Sequence, residues 1–130
     1  MLIFLYGSLR DPVLLSQIAG DPRLGLSLRP ARLGGYARVH IGGWNARYAS
    51  VVRQPGAAVE GFVARLTAPA QPRLTAYEGS SYEMRRVRAL IDGQYRMVGI
   101  WMARAVTRRV WTEPTDLRRV RMERSSTRHA

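Results

Sequence analysis

The chain has 130 residues, 46% of them hydrophobic, which fits one folded domain and excludes disorder throughout. It contains no cysteine, which excludes disulfides, thiol nucleophiles and thiolate metal sites. Twenty-one basic residues against nine acidic ones give a net charge of +12, and every one of the 21 is an arginine.

The arginine bias bears on the partners that we expect. A surface that binds phosphates usually mixes lysine with arginine, so the complete absence of lysine is more typical of codon usage in a GC-rich genome. No uncharged stretch exceeds nine residues, and Met1–Tyr6 lacks the basic start of a secretory signal. We therefore expect a cytoplasmic protein for which neither nucleic acid nor membrane is the main partner. The oligomeric state is not predicted.

The first half of the chain predicts two strands and one helix. Met1–Tyr6 is a continuous apolar run, the pattern of a strand buried on both faces. Asp11 and Pro12 are typical of an N-cap and a first helical position, and Gly20 ends that helix. Leu14, Leu15 and Ile18 form its apolar face. A second strand is predicted near Leu33–Ile41.

The middle of the chain predicts a hairpin followed by a helix. The strand-like runs Tyr48–Arg53 and Val59–Leu66 are separated by Gln54–Ala57, whose Pro-Gly pair is a turn signal. Thr67–Glu78 is predicted to be a short helix, and Gly79 is well placed just past its end.

A second hairpin is predicted after this helix, with Asp92-Gly93 as its turn and Gln94–Ala103 as its second strand. In its first strand the alternation predicts Val87, Ala89 and Ile91 facing the core and Arg86 and Arg88 facing solvent. Among these arginines, Arg86 is predicted to reach inward or to pair with Glu83.

These elements predict a mixed α+β domain with a small, curved, barrel-like mixed sheet and short flanking helices. We expect this single domain to cover residues 1–124 and to end in a short basic helix over Thr115–Arg124. Residues 125–130 are predicted to be a basic, disordered tail that can be removed without loss of stability.

The usual catalytic constellations are missing from the sequence. His40 and the penultimate residue His129 are the only histidines, so a histidine-based metal cluster is disfavoured. Neither the G-x-S-x-G motif of serine hydrolases nor a P-loop or dinucleotide-binding glycine fingerprint is present.

Two local features could carry chemistry. Tyr6-Gly7-Ser8-Leu9 follows the first strand, and the backbone N–H groups of such a turn can bind a carboxylate or an oxyanion. Glu78 stands at a helix C-terminus, where the helix dipole disfavours its charge, so burial would raise its pKa and suit a general acid or base. Taken alone, each feature also has a purely structural explanation. The first fits an ordinary strand-to-helix turn, and the second fits a surface glutamate paired with an arginine.

Together these motifs resemble the γ-glutamylcyclotransferase-like, or AIG2-like, family. The resemblance covers residues 1–103 and is carried by four stretches in family order. They are Tyr6–Leu9, the strand Val59–Leu66, Tyr77-Glu78-Gly79 with Tyr82 and Arg86-Val87, and the pair Ile100-Trp101. The chain departs from the family pattern at Thr75, where an aspartate is usual, and at Ala49-Ser50, where Pro-Ala is usual.

The resemblance implies a small barrel with a polar cavity and an enzyme that needs no metal or cofactor. In characterised members the α-amine of a γ-glutamyl group attacks its own γ-carbonyl, which releases 5-oxoproline and an amine or amino acid. Glu78 matches the family's catalytic glutamate. Gly7, Ser8 and Leu9 match the substrate-binding loop, and Tyr6 and Tyr82 match cavity-lining positions where they could donate hydrogen bonds to a small-molecule γ-glutamyl substrate.

Two other functions stay open from the sequence. The chain could keep the cavity of this fold and bind a ligand without turnover. It could also be a basic protein that associates with anions or nucleic acid through its arginines.

Overall fold

The computed structural model describes residues 1–40 and 49–104, in which five strands close into a barrel. The strands are β1 (Leu2–Leu5), β2 (Arg29–His40), β3 (Ala49–Arg65), β4 (Tyr82–Ile91) and β5 (Gln94–Ala103), and the helices are α1 (Pro12–Ala19) and α2 (Ala70–Glu78). The order around the barrel is β1-β3-β2-β4-β5; β1 and β5 are parallel, and the other neighbours are antiparallel. The predicted mixed α+β fold with a barrel-like sheet is confirmed.

Strand β1 is buried on both faces, as its continuous apolar run predicts. Because successive side chains alternate across a strand, Phe4 and Tyr6 point into the barrel core while Ile3 and Leu5 point outward. The outward face is covered by a second apolar cluster that includes Leu15 of α1 and Leu74 of α2. The two helices therefore pack on one side of the barrel.

Local signals mark the start of α1 and the ends of both helices. The Asp11 carboxylate accepts hydrogen bonds from the amides of Val13 and Leu14 at 2.9 and 3.4 Å, so Asp11 is the predicted N-cap of α1. Gly20 closes α1 in the left-handed conformation, with φ of +67°. Helix α2 begins at Ala70, three residues later than predicted, and ends before Gly79, whose φ is +84°.

The predicted turn at Gln54–Ala57 is wrong, because the two runs that flank it belong to the single strand β3. Residues on both sides of the turn signal pair with β2, through Gly34 with Ala58 and Tyr36 with Arg53. Residues 54–57 therefore lie opposite Gly35 alone, as an irregularity within the strand pair. The turn residues form a bulge here because the pairing with β2 resumes on the far side of them, so that the chain stays in the same strand pair.

The hairpin of β4 and β5 is confirmed. Val87, Ala89 and Ile91 are buried and Arg86 and Arg88 are exposed, and the Asp92-Gly93 turn has positive φ at both positions.

The predicted pairing of Arg86 with Glu83 is wrong. Glu83 instead forms ion pairs with Arg85 at 2.7 Å and with Arg104 at 2.8 Å. Positions 83 and 86 are three apart, so their side chains point to opposite faces of β4, whereas Arg85 shares the face of Glu83.

The predicted helix Thr115–Arg124 and the predicted tail 125–130 lie outside the described residues, as does the domain end at residue 124. Neither described helix is long and apolar enough to cross a membrane.

Candidate active site

The chain turns sharply where β1 ends. After Tyr6 it enters one turn of 3₁₀ helix over Ser8–Arg10, anchored by the fully buried side chain of Leu9. The backbone N–H and the Nε of Arg10 both donate to the Gly7 carbonyl, at 3.1 and 2.8 Å, and hold the turn in place. Within the described chain, no acceptor meets the amides of Gly7, Ser8 and Leu9. Such amides at the start of a helical turn are available to an anion.

Glu78, the last residue of α2, turns its side chain into the protein. Only 8% of its surface is exposed, and its Oε2 is buried with no hydrogen-bond partner among the described residues. Burial raises the pKa of Glu78 from its ordinary 4.5 to about 8. The alternative of a surface glutamate paired with an arginine is therefore wrong.

Glu78 and the turn after β1 meet in one cleft. Its lining includes Tyr6, Gly7, Leu9 and Glu78, together with Trp101 of β5. The cavity inside it has a volume of about 10 Å³, about the space of one water molecule. Residues from the first strand and its turn, from the end of α2 and from β5 thus share one small site, with a buried carboxylate in the same cleft as Gly7 and Leu9.

Tyr6 is fixed in this cleft by the neighbouring strand. Its hydroxyl donates to the Trp101 carbonyl at 2.7 Å, because the parallel pairing of β1 with β5 brings these positions together. Burial, followed by the nearby Tyr82 and Glu78, raises the pKa of Tyr6, and a hydrogen bond with Ser50 and the charge of Arg38 lower it. The charges of Glu78 and Arg38 therefore shift the pKa of the Tyr6 hydroxyl in opposite directions.

Tyr82 and Ser8 are held by contacts with other elements. The Tyr82 hydroxyl donates to the Ala49 carbonyl at 2.8 Å, and the Ser8 hydroxyl lies 3.0 Å from that of Tyr77. The contact of Ser8 with Tyr77 ties the turn to helix α2 beside Glu78. The hydroxyl hydrogens of Tyr6 and Tyr82 are both given to backbone carbonyls, which leaves these oxygens as acceptors and differs from the donor role expected from the sequence.

Sequence reasoning did not single out Tyr77, Trp101 or Arg38 as site residues. In the sequence, Tyr77 and Trp101 stand out only as parts of the stretches that carry the family resemblance. Arg38 lies in a predicted strand, and an arginine on the inward face of a strand is unusual, so the alternation along that strand could have identified it. In the described part of the chain no group of three or more histidine, aspartate or glutamate side chains could hold a metal ion.

A comparison with models of protein families shows to which family the chain belongs. The model described as gamma-glutamyl cyclotransferase, AIG2-like, matches residues 3–120. The chain belongs to this family. The AIG2-like resemblance drawn from the sequence is thereby confirmed, and the match includes every residue of the cleft.

Solved structures share the fold at low sequence identity. A protein from Arabidopsis thaliana, determined in solution, has a TM-score of 0.67 and 22% identity over 95% of this chain and 82% of its own. A gamma-glutamyl cyclotransferase has a TM-score of 0.68 and 16% identity over 82% of this chain and 68% of its own. YkqA from Bacillus subtilis reaches a TM-score of 0.72 at 18% identity, and this chain spans 49% of its length. No curated protein sequence matches the chain.

Proposed function

We propose that this AIG2-like protein releases 5-oxoproline from a γ-glutamyl amino acid or amine, with Glu78 as the proton-transfer group. The α-amino nitrogen of the glutamyl group bonds to its own γ-carbonyl carbon, and the bond from that carbon to the leaving nitrogen breaks. One proton moves from the attacking nitrogen to the leaving nitrogen. The reaction balances without an oxidant, a reductant or water.

The observation that carries the proposal is the buried carboxylate of Glu78 in the same cleft as the turn after β1. A buried carboxylate without a partner lowers the stability of the fold, so its presence needs a compensating use. Proton transfer at the reacting nitrogens supplies that use, because one carboxylate can accept the proton of the amine and then deliver it to the leaving group.

The raised pKa suits this exchange. With its pKa raised from 4.5 to about 8, the Glu78 carboxylate is a stronger base and lies closer in pKa to an amino acid's ammonium group. The smaller this difference in pKa, the less free energy the transfer of a proton from the amine to the carboxylate costs. A surface glutamate with an ordinary pKa would hold the proton too weakly to take it from the amine.

The turn after β1 supplies the positioning part of the proposal. Ring closure needs the glutamyl chain folded so that its amine approaches the carbonyl carbon, and holding it so can supply much of the acceleration. In this proposal the amides of Gly7, Ser8 and Leu9 bind the glutamyl carboxylate or the developing oxyanion. Ser8 acts here as a binding residue and not as a nucleophile. We also propose that the protein resides in the cytoplasm.

The test is 5-oxoproline release from a panel of γ-glutamyl amino acids and amines. Glu78→Gln is expected to lower kcat by about 10²- to 10⁴-fold. The matched control is Glu60→Gln, which removes an exposed carboxylate that lies 3.2 Å from Arg32 and should leave kcat unchanged. If neither the wild type nor Glu60→Gln releases 5-oxoproline, the enzyme proposal is overturned. Stabilisation by γ-glutamyl compounds at low and high salt, without release, would indicate a ligand-binding member of the fold.

A further inference from the structure

A groove lies where strands β2 and β4 stop pairing. In the described part of the chain these two neighbouring strands share a single residue pair, Arg32 with Leu90, whereas β2 pairs with β3 and β4 with β5 along their lengths. Beyond that pair, the groove is lined by Tyr36 from β2 and by Arg86 and Val87 from β4. Its volume is about 170 Å³, whereas one water molecule needs only about 10–15 Å³. The groove therefore has room for a small molecule.

The floor of this groove is apolar and belongs to the barrel interior. Val51 and Val87 are buried members of the barrel core, and Tyr36 and Met102 pack against that core. None of the residues that line the groove also lines the cleft of Glu78. The groove is therefore a site of its own, at a different place in the barrel.

The rim of the groove carries three arginines. Arg85 forms an ion pair with Glu83 at 2.7 Å, so a carboxylate already occupies it. Within residues 1–40 and 49–104, the exposed side chains of Arg53 and Arg86 have no carboxylate partner. The guanidinium carbon of Arg53 lies 6.0 Å from the centre of the Tyr36 ring, a cation–π contact that holds it beside the groove. Two positive charges thus stand next to an apolar floor.

We propose that this groove is a second binding site, which takes a phosphate monoester of a small apolar group. At pH 7 such a phosphate carries a charge of about −1.5 to −2, which matches the two guanidinium groups of Arg53 and Arg86. Each guanidinium can donate two parallel hydrogen bonds to phosphate oxygens. The apolar group of the ester loses its contact with water against Val51, Val87 and Met102. The site is independent of the proposed cyclotransferase reaction.

A phosphate monoester fits the groove better than either of two simpler anions. A monocarboxylate carries one charge on two acceptor oxygens, so it would leave one of the two arginines without a counter-charge. Inorganic phosphate supplies the charge but leaves the apolar floor in contact with water. The doubly charged rim and the apolar floor together define the ligand class.

The test is isothermal titration calorimetry of the full chain with phenyl phosphate, inorganic phosphate and benzoate. Phenyl phosphate should bind about tenfold more tightly than inorganic phosphate, because its ring is buried against the floor. It should also bind more tightly than benzoate, which has only one charge. Arg53→Gln and Arg86→Gln should each weaken the binding of phenyl phosphate about tenfold, the lower end of the range for a hydrogen bond to a charged group.

The matched control is Arg88→Gln, which should leave the Kd for phenyl phosphate unchanged. It removes an exposed charge from the same strand as Arg86, but Arg88 does not line the groove. Equal weakening by Arg88→Gln and Arg53→Gln would mean that the net charge of the protein attracts the anion, and would overturn the proposal. The two groove variants are independent, so if one of them fails to fold the other decides.

Two further results would also overturn the proposal. Inorganic phosphate or benzoate binding as tightly as phenyl phosphate would contradict the ligand class, and wild type that binds none of the three would contradict the site. The place of binding is checked by the backbone amide chemical shifts of ¹⁵N-labelled protein. The largest shifts on adding phenyl phosphate should be those of Tyr36 and Val87. Largest shifts at Gly7–Leu9 would place the anion at the turn after β1 and would overturn the assignment to the groove.

Discussion

Replacing Glu78 by glutamine should change the pH dependence of stability in a predictable direction. Burial raises the pKa of Glu78 from 4.5 to about 8, so the folded state disfavours the ionised form. Below pH 4.5 the carboxyl is protonated whether the chain is folded or not, and it costs nothing. As the pH rises from 4.5 to about 8, the unfolded chain gains stability by ionising, and the free energy of unfolding falls. Glutamine at position 78 cannot ionise, so this decrease in the free energy of unfolding is absent from Glu78→Gln.

The size of the effect follows from the same values. Each pH unit between the two pKa values is worth about 1.4 kcal/mol. Over the interval from 4.5 to about 8 the upper limit is about 5 kcal/mol. Relaxation around a buried charge reduces such a value, so we expect a few kcal/mol. The buried glutamine amide has a cost of its own, but that cost does not depend on pH.

The assay is urea unfolding of wild type and Glu78→Gln at pH 5 and at pH 8.5, with Glu60→Gln as the control. The difference between the two pH values is compared across the proteins, because the other titrating groups are common to all three. Glu78→Gln should gain a few kcal/mol relative to wild type between pH 5 and 8.5, and Glu60→Gln should gain almost nothing. A gain as small for Glu78→Gln as for the control would refute the burial argument.

Further predictions concern the reaction and the fold. The kcat/KM of wild type should rise about tenfold per pH unit up to about pH 8, where Glu78 ionises; a flat profile below that pH would contradict this. Asp11→Ala should cost about 0.5–2 kcal/mol in urea unfolding, because two helix amides lose their acceptor, while Asp21→Ala in the next loop serves as comparison. Gly61→Ala should cost about 1–3 kcal/mol, since a Cβ there would lie 2.4 Å from the Leu5 carbonyl oxygen; unchanged stability would show that β1 and β3 can separate freely.

Local signals predicted the elements that local contacts stabilise. Asp11 caps α1 with its own side chain, and Gly20 ends it with a backbone conformation that glycine adopts at no steric cost. The Asp92-Gly93 turn has the positive φ values that a two-residue hairpin needs. The alternation of Val87 and Arg88 follows from the period of a strand alone. In each case the information lies within a few residues of the structure that it specifies.

The continuity of β3 could not be predicted in the same way. Pro55-Gly56 carries the chemistry of a turn, and the sequence alone predicts that the chain reverses there. The structure keeps both runs in one strand because residues on both sides of the bulge find partners on β2, from Val59 with Leu33 to Val51 with Arg38. Pairing over many residues outweighs the preference of four, and that pairing is a property of the whole sheet.

The sequence and the tertiary structure each determine a part of the candidate site. The order of the motifs around Gly7 and Glu78 determined the family, since it can be read along the chain. Their meeting was decided by the barrel: Ser8 and Tyr77 stand 69 positions apart, and their hydroxyls lie 3.0 Å from each other. Burial, and with it the raised pKa of Glu78, depends on every element that excludes water from the carboxylate. A sequence specifies which groups can ionise, whereas the fold decides how much water each of them retains.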